Sequence, residues 1–189
     1  MFIVAQINTS TAIGGGIIRD LMLGHTPPIA LQSSLYFFLI IAAMLGTTAM
    51  IRYFDAHIRS KVMHHSAYMY LAGDTIGLAS FTITGTLSGL YFNPDMWVLI
   101  IMLGVITAVG GGVIRDVLAG KVPSVLVHDI YATAALLGSV TLYVLVIFDW
   151  PVDVAALISF FTTVSLRVVA IKAKLDMPHV KRKRRGQWL

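Results

Sequence analysis

Six long apolar segments alternate with short polar loops along the chain. They cover roughly residues 2–23, 33–51, 67–91, 97–119, 130–148 and 152–171. Each has the length of about 20 residues that a helix needs to cross a hydrocarbon core. None shows the alternation of apolar and polar positions that is typical of a strand in a membrane barrel. The pattern therefore predicts an all-α integral membrane protein with six visible spans.

The composition agrees with this class. The 189 residues are 57% hydrophobic and 12% charged, with a mean hydropathy of +0.82, which is more apolar than a soluble domain of this size requires. The chain has no cysteine, so it has neither a disulfide framework nor a thiolate site. His64 and His65 are adjacent, which is poor spacing for metal ligands. We expect no enzymatic activity, no cofactor, no metal site and no nucleic-acid partner.

A seven-residue pattern occurs twice, each time inside an apolar segment. It reads Gly14-Gly15-Gly16-Ile17-Ile18-Arg19-Asp20 and then Gly110-Gly111-Gly112-Val113-Ile114-Arg115-Asp116. The wider copies, residues 11–28 and 107–124, are offset by 96 residues and identical at 10 of 18 positions. Each glycine costs a helix about 1 kcal/mol relative to alanine. We therefore predict that both spans are broken at their triplets, where freed backbone groups line a polar path. The alternative is that the glycines only let helices pack closely.

Ionisable residues at membrane depth are costly and usually pair with one another or face water. Neighbours on a helix point about 100° apart, so we expect Arg115 to pair with Asp74 on another span rather than with Asp116. Such a pair could be a structural lock, or it could line or gate a pore; Arg19 and Asp20 raise the same two alternatives. Arg167 lies near one end of the last span, and we expect it to snorkel to the interface.

The loops fall into a basic set and a set without Lys or Arg. The segment from residue 172 onward carries seven Lys and Arg residues, the loop 52–61 three and Lys121 one, whereas the alternate loops have none. The basic side is therefore predicted to be cytoplasmic, including the C-terminus. Under this topology the two glycine copies run in opposite directions, as in inverted repeats. The basic tail could also contact anionic lipid headgroups.

This topology divides the chain into four parts. Residues 1–66 form a first repeat with two spans, residues 67–149 a second repeat with three, residues 150–172 a final helix, and residues 173–189 the basic cytoplasmic tail. Because the second repeat has a span before its glycine helix and the first does not, we expect a further apolar span to precede Met1.

The doubled glycine motif resembles the prokaryotic branch of the trimeric intracellular cation channels, whose domain is also labelled glycine-transporter-type. The segments Asp74-Thr75-Ile76-Gly77-Leu78 and Leu166-Arg167-Val168-Val169-Ala170-Ile171 carry the same resemblance. It implies a seven-span fold, with two inverted three-helix repeats and a last helix, of which the first span is absent here. It further implies a homotrimer in the bacterial inner membrane.

The resemblance also implies a function. Each protomer would conduct monovalent cations, with K⁺ the leading choice, along a path walled by the two glycine-kinked helices. The alternative is a secondary transporter of a small zwitterion such as glycine, because inverted repeats with broken helices suit that mechanism equally well.

Overall fold

The computed structural model describes residues 13–32, parts of residues 34–49, residues 62–127 and residues 130–173; at residues 30, 62–70 and 127 it describes the backbone only. Every regular element in these residues is an α-helix, which confirms the predicted all-α class. The labelled helices are α1 (residues 13–22), α2 (Ile29–Gln32), α3 (Val62–Phe92), α4 (Trp97–Leu118), α5 (Ser124–Val127), α6 (Ile130–Ile147) and α7 (Val152–Ala173). The described parts of residues 34–49 are also helical.

The hydropathy pattern located the helices of the second half closely. The predicted spans 97–119, 130–148 and 152–171 end within two residues of α4, α6 and α7. Among the described residues, these three helices are long and apolar enough to cross a membrane. The first two predicted spans lie partly outside the described residues.

The predicted break at each glycine triplet is wrong. The α4 helix continues without interruption through Gly110–Gly112, and residues 13–22 are helical through Gly14–Gly16. The triplets mark a helix crossing. A Cβ atom added to Gly15 would overlap the carbonyl oxygen of Thr107 and lie 3.4 Å from the backbone nitrogen of Gly111. The glycines therefore allow two backbones to touch, as small residues do between membrane helices.

The contacts at this crossing are reciprocal between the two copies. An added Cβ atom at Gly14 would lie 2.6 Å from Cδ1 of Ile114, and one at Gly110 would lie 3.1 Å from Cδ1 of Ile18. Gly14 corresponds to Gly110, and Ile18 to Ile114, at the 96-residue offset. Each copy therefore contacts the other through the same positions.

The two copies also end their helices in the same way. Gly24 and Gly120 have φ angles of +74° and +66°, in the left-handed region that glycine adopts without strain. His25 N donates to the carbonyl oxygen of Asp20 at 2.8 Å, and Lys121 N donates to that of Asp116 at 2.9 Å. Together with the bonds from Gly24 and Gly120 to Leu21 and Val117, this is the Schellman ending of a helix. These glycines, and not the prolines that follow, end α1 and α4.

Small residues and hydroxyls bring the helices of the second half together. An added Cβ atom at Gly85 would lie 2.8 Å from Cα of Gly104, and one at Gly89 would lie 2.7 Å from Cα of Ile100, so the backbones of α3 and α4 approach closely at these two glycines. Gly73 and Gly77 have no described atom within 4 Å of an added Cβ and make no such contact in the described structure.

Hydrogen bonds between helices accompany this close packing. The hydroxyls of Thr86 and Ser139 are 2.7 Å apart and join α3 to α6. Ser159 Oγ donates to the carbonyl oxygen of Gly138 at 2.8 Å and joins α7 to α6. All these residues are buried. The four long helices therefore form one packed unit, in which these buried hydroxyls are hydrogen-bonded.

Candidate functional site

A cluster of charged side chains lies buried between α3, α4, α6 and α7. Arg115 Nη1 donates to Asp74 Oδ1 at 2.9 Å, which confirms the predicted pairing between two spans. Tyr131 Oη donates to the same oxygen at 3.2 Å. Because Asp74 is on α3, Arg115 on α4 and Tyr131 on α6, one carboxylate connects three helices.

The expectation that sequence neighbours do not neutralise each other is wrong. Arg115 Nε donates to Asp116 Oδ1 at 2.9 Å. In the first copy, Nε and Nη2 of Arg19 donate to Asp20 Oδ1 at 2.9 and 2.8 Å. The Cβ atoms of neighbours diverge, but the arginine side chain is long enough to fold back to the adjacent carboxylate.

The prediction that Arg167 snorkels to the interface is also wrong. Arg167 is only 4% exposed, with Nη2 3.9 Å from Asp74 Oδ2 and its guanidinium 4.6 Å from the ring centroid of Tyr131. The sequence contained a signal for this placement. The buried face of α7 runs through Ala155, Ser159 and Thr163, and continuing this four-residue spacing leads to Arg167.

The second oxygens of Asp20 and Asp116 hold the loops that follow their helices. Asp116 Oδ2 accepts hydrogen bonds from the backbone nitrogen and the hydroxyl of Ser124, at 2.7 and 2.8 Å. Asp20 Oδ2 accepts one from the backbone nitrogen of Ile29 at 2.9 Å. Both carboxylates are buried. Sequence reasoning missed this role. Both copies nevertheless contain a signal for it, because the aspartate precedes by eight or nine positions a residue that follows a proline and begins a short helix.

The third glycine of each triplet has a different environment in the two copies. A Cβ atom added to Gly112 would lie 3.2 Å from Tyr131 Oη and 3.7 Å from Arg115 Nη2. One added to Gly16 would lie 4.0 Å from Arg19 Nη2 and within 4 Å of no other described atom. The charged cluster therefore fills the space beside Gly112, whereas among the described residues only the Arg19 guanidinium comes near the same position at Gly16.

The buried cluster is electrically balanced. Asp74 and Asp116 supply two negative charges, and Arg115 and Arg167 supply two positive ones, all with side chains less than a tenth exposed. Buried charges persist at membrane depth when they are paired. Among the described residues, no three His, Cys, Asp or Glu side chains come together as metal ligands. The side chains of His64 and His65, the loop 52–61 and the tail from residue 174 lie outside the described residues.

Comparison with known proteins identifies relatives of this chain. A family model described as "Glycine transporter" matches residues 1–52 and 71–146. The "UPF0126 membrane protein" of Vibrio cholerae is 35% identical over 177 residues, which cover 94% of this chain and 70% of the relative. The "UPF0126 inner membrane protein YadS" of Escherichia coli K12 is 33% identical over 181 residues, covering 94% and 82%.

Solved structures resemble the chain over nearly its whole length. One, described under "Structural basis for conductance through TRIC cation channels", is 36% identical with a TM-score of 0.74, and the match covers 95% of this chain and 82% of that one. The "TRIC trimeric intracellular cation channel orthologue from Rhodobacter sphaeroides" is 29% identical with a TM-score of 0.75, covering 92% and 95%.

Proposed function

The chain belongs to the membrane-protein family of the glycine transporter model and the trimeric intracellular cation channels, and from this premise we propose that it conducts cations. The cations are monovalent, K⁺ first among them. Each protomer of a homotrimer in the bacterial inner membrane provides its own path. The path follows the crossing of α1 and α4, where the two glycine triplets meet.

The observation that carries this proposal is the likeness to a cation channel in both sequence and shape. Identity of 36% and a TM-score of 0.74 extend over 95% of the chain, so the likeness includes the helices around the charged cluster as well as the glycine motif. Fold alone does not define function, but this relative shares the sequence along with the fold.

The site geometry supports a path at the crossing. Among the described atoms, Arg19 Nη2 is the nearest to an added Cβ atom at Gly16, at 4.0 Å, and Arg19 is partly exposed. A cationic side chain at membrane depth needs a partner or water beside it. Asp20 supplies the partner, and the proposed path would bring water to the exposed part of the side chain.

The test is electrical. Purified protein is placed in a planar bilayer between unequal KCl solutions, and current is recorded at fixed voltages. A channel gives unitary current steps with a reversal potential displaced toward the equilibrium potential of K⁺. Replacement of K⁺ by a large organic cation abolishes the steps. A protein that gives no steps at any voltage contradicts the proposal.

A substitution at Gly16 tests the location of the path. Gly16→Leu adds a branched side chain at a position where, in the described structure, only Arg19 Nη2 lies within 4 Å of an added Cβ atom, so we expect the unitary conductance to fall while the protein still folds. Gly46 has no described atom within 4 Å of an added Cβ, so Gly46→Leu makes the same chemical change elsewhere. Equal conductance in both variants would place the path away from the crossing.

A second candidate is a transporter for a small zwitterion, and the description of the family model favours it. The assay is uptake of radiolabelled glycine into proteoliposomes. Saturable uptake, inhibited by unlabelled glycine and without unitary current steps, would replace the channel proposal.

A further inference from the structure

Arg167 belongs to α7, which lies outside both glycine repeats, yet its guanidinium is buried in the charged cluster. We propose that Arg167 determines the charge of the cation path and thereby the selectivity between cations and anions. This inference rests on the proposed conduction along the glycine crossing. It concerns a residue that the motif does not contain and assigns a function to the last helix.

Electrostatic contacts hold Arg167 in place. Its Nη2 atom lies 3.9 Å from Asp74 Oδ2, beyond the range of a hydrogen bond. The face of Tyr131 lies against the guanidinium. Its buried Nε atom has no hydrogen-bond partner among the described residues. The hydrogen bonds that Asp74 Oδ1 accepts from Arg115 and Tyr131 do not involve Arg167, so we expect a substitution of Arg167 to change the charge more than the geometry.

The net charge of the cluster depends on Arg167. Asp74, Arg115, Asp116 and Arg167 sum to a formal charge of zero. Without Arg167 the sum is −1, and without Asp74 it is +1. Because these groups are buried, water and salt screen their field less than they screen the field of surface charges.

The cluster lies directly beside the glycine crossing. Tyr131 Oη is the nearest atom that a side chain at Gly112 would meet, at 3.2 Å, and the Arg167 guanidinium lies over the ring of the same tyrosine at 4.6 Å. One tyrosine therefore separates Arg167 from the second triplet. A charge at this position acts on any ion that passes the crossing.

Coulomb's law gives the size of the effect. A unit charge about 10 Å from an ion in a water-like dielectric changes the local cation concentration about twofold, and the ratio of cations to anions about fourfold. The effect shrinks in strong salt, because the Debye length falls from about 10 Å at 0.1 M to about 3 Å at 1 M.

The experiment compares the charge states of the cluster in single-channel recordings. Arg167→Gln makes the cluster −1, Asp74→Asn makes it +1, and the double variant restores zero. In 0.1 M KCl we expect Arg167→Gln to raise the K⁺/Cl⁻ permeability ratio about fourfold, Asp74→Asn to lower it, and the double variant to return to the wild-type value. Arg167→Lys keeps the charge and so keeps the wild-type ratio.

Lys172→Gln is the matched control, since Lys172 is on the same helix but exposed. It removes one positive charge outside the cluster and shifts the ratio much less. A purely structural Arg167 gives a different pattern: both single variants and the double variant lose stability, while those that still conduct keep the wild-type ratio. That pattern would overturn the inference.

A second measurement does not depend on ion flux and can therefore also be made on variants that fold poorly. In a double-mutant cycle of thermal unfolding in detergent, coupling between Arg167→Gln and Asp74→Asn reports whether the 3.9 Å pair interacts. Coupling is the expected result, and strict additivity contradicts the inference. If the wild-type protein gives no current, conduction fails as a proposal while the cycle still reports on the pair. If the wild type conducts and Arg167→Gln leaves its ratio unchanged, only this inference fails.

Discussion

The crossing of the glycine triplets predicts opposite outcomes for two adjacent substitutions. Gly15→Ala adds a Cβ atom that overlaps the carbonyl oxygen of Thr107. Gly16→Ala adds the same atom where the nearest described group is Arg19 Nη2, at 4.0 Å. Both residues are in the helical stretch 13–22. The pair therefore isolates the effect of packing from that of helix propensity.

The magnitude follows from this comparison. Alanine favours a helix over glycine by about 1 kcal/mol at either site, and this contribution cancels between the two variants. What remains is the cost of overpacking at Gly15, typically about 1–3 kcal/mol. The obstacle is backbone of α4, which cannot rotate away as a side chain can, so we expect a value near 3 kcal/mol. For a chain of this length that corresponds to a difference in melting temperature of roughly 6–12 °C.

The assay is the loss of the monodisperse peak in size-exclusion chromatography after heating in detergent. Gly16→Ala should melt at or above the wild-type temperature, and Gly15→Ala well below it. If the two variants melted together, the triplets would not be in contact, and the path proposed along their crossing would lose its structural basis.

Three further predictions concern topology, helix packing and the loop held by Asp116. A cysteine introduced at Asp95 in this cysteine-free chain should react with impermeant reagents from the outside only, and labelling from the cytoplasm alone would contradict the topology. Gly138→Ala places a methyl group onto Thr163 Oγ1 and should cost about 1–3 kcal/mol, whereas the double variant with Thr163→Ala should regain most of this stability in thermal unfolding. Ser124→Ala removes one of the two hydrogen bonds that Ser124 donates to Asp116 and should lower stability by about 1.5–3 kcal/mol; an unchanged melting temperature would show that the backbone bond from Ser124 is sufficient to fix the loop.

Hydropathy predicted the helices well because the membrane imposes their length. A span of about 20 apolar residues must be a helix, since lipid offers no partner for an unpaired backbone group. The apolar pattern is interrupted sharply by two turns, one with Asn93 and Pro94 and the other with Asp149 and Trp150. The sequence therefore predicted where α4 and α7 begin.

The prediction that the glycine triplets break their helices was wrong for a physical reason. Glycine destabilises a helix in water because the unfolded backbone gains both entropy and solvent hydrogen bonds. Inside a membrane a broken helix gains no solvent bonds, so Gly110–Gly112 stays helical. The absence of side chains then allows the backbone of the other copy to approach closely. Packing, the alternative weighed from the sequence, explains the triplets in the described structure.

The placement of Arg167 shows a different limit of sequence reasoning. Its position near the end of an apolar segment suggested the interface, but the depth of a residue does not say which side of the helix it occupies. The face is determined by which side of α7 packs on α6, through the contact between Gly138 and Thr163 and the bond from Ser159. That information was present only as a weak four-residue spacing of small residues.

In the part of the chain that the structure describes, the two copies of the motif share a local structure but have different neighbours. The motif specifies what lies within reach of its own backbone: the helix ending at Gly24 or Gly120, the bond from arginine to the next aspartate, and the loop held by that aspartate. Among the described residues, Asp74, Tyr131 and Arg167 from outside the motif all lie around the second copy. An added Cβ atom therefore meets Tyr131 and Arg115 at Gly112, but no described atom closer than Arg19 Nη2 at Gly16. A path along the crossing would therefore pass the charged cluster on the side of the second copy, so we expect equivalent substitutions at Gly16 and Gly112 to alter conduction unequally.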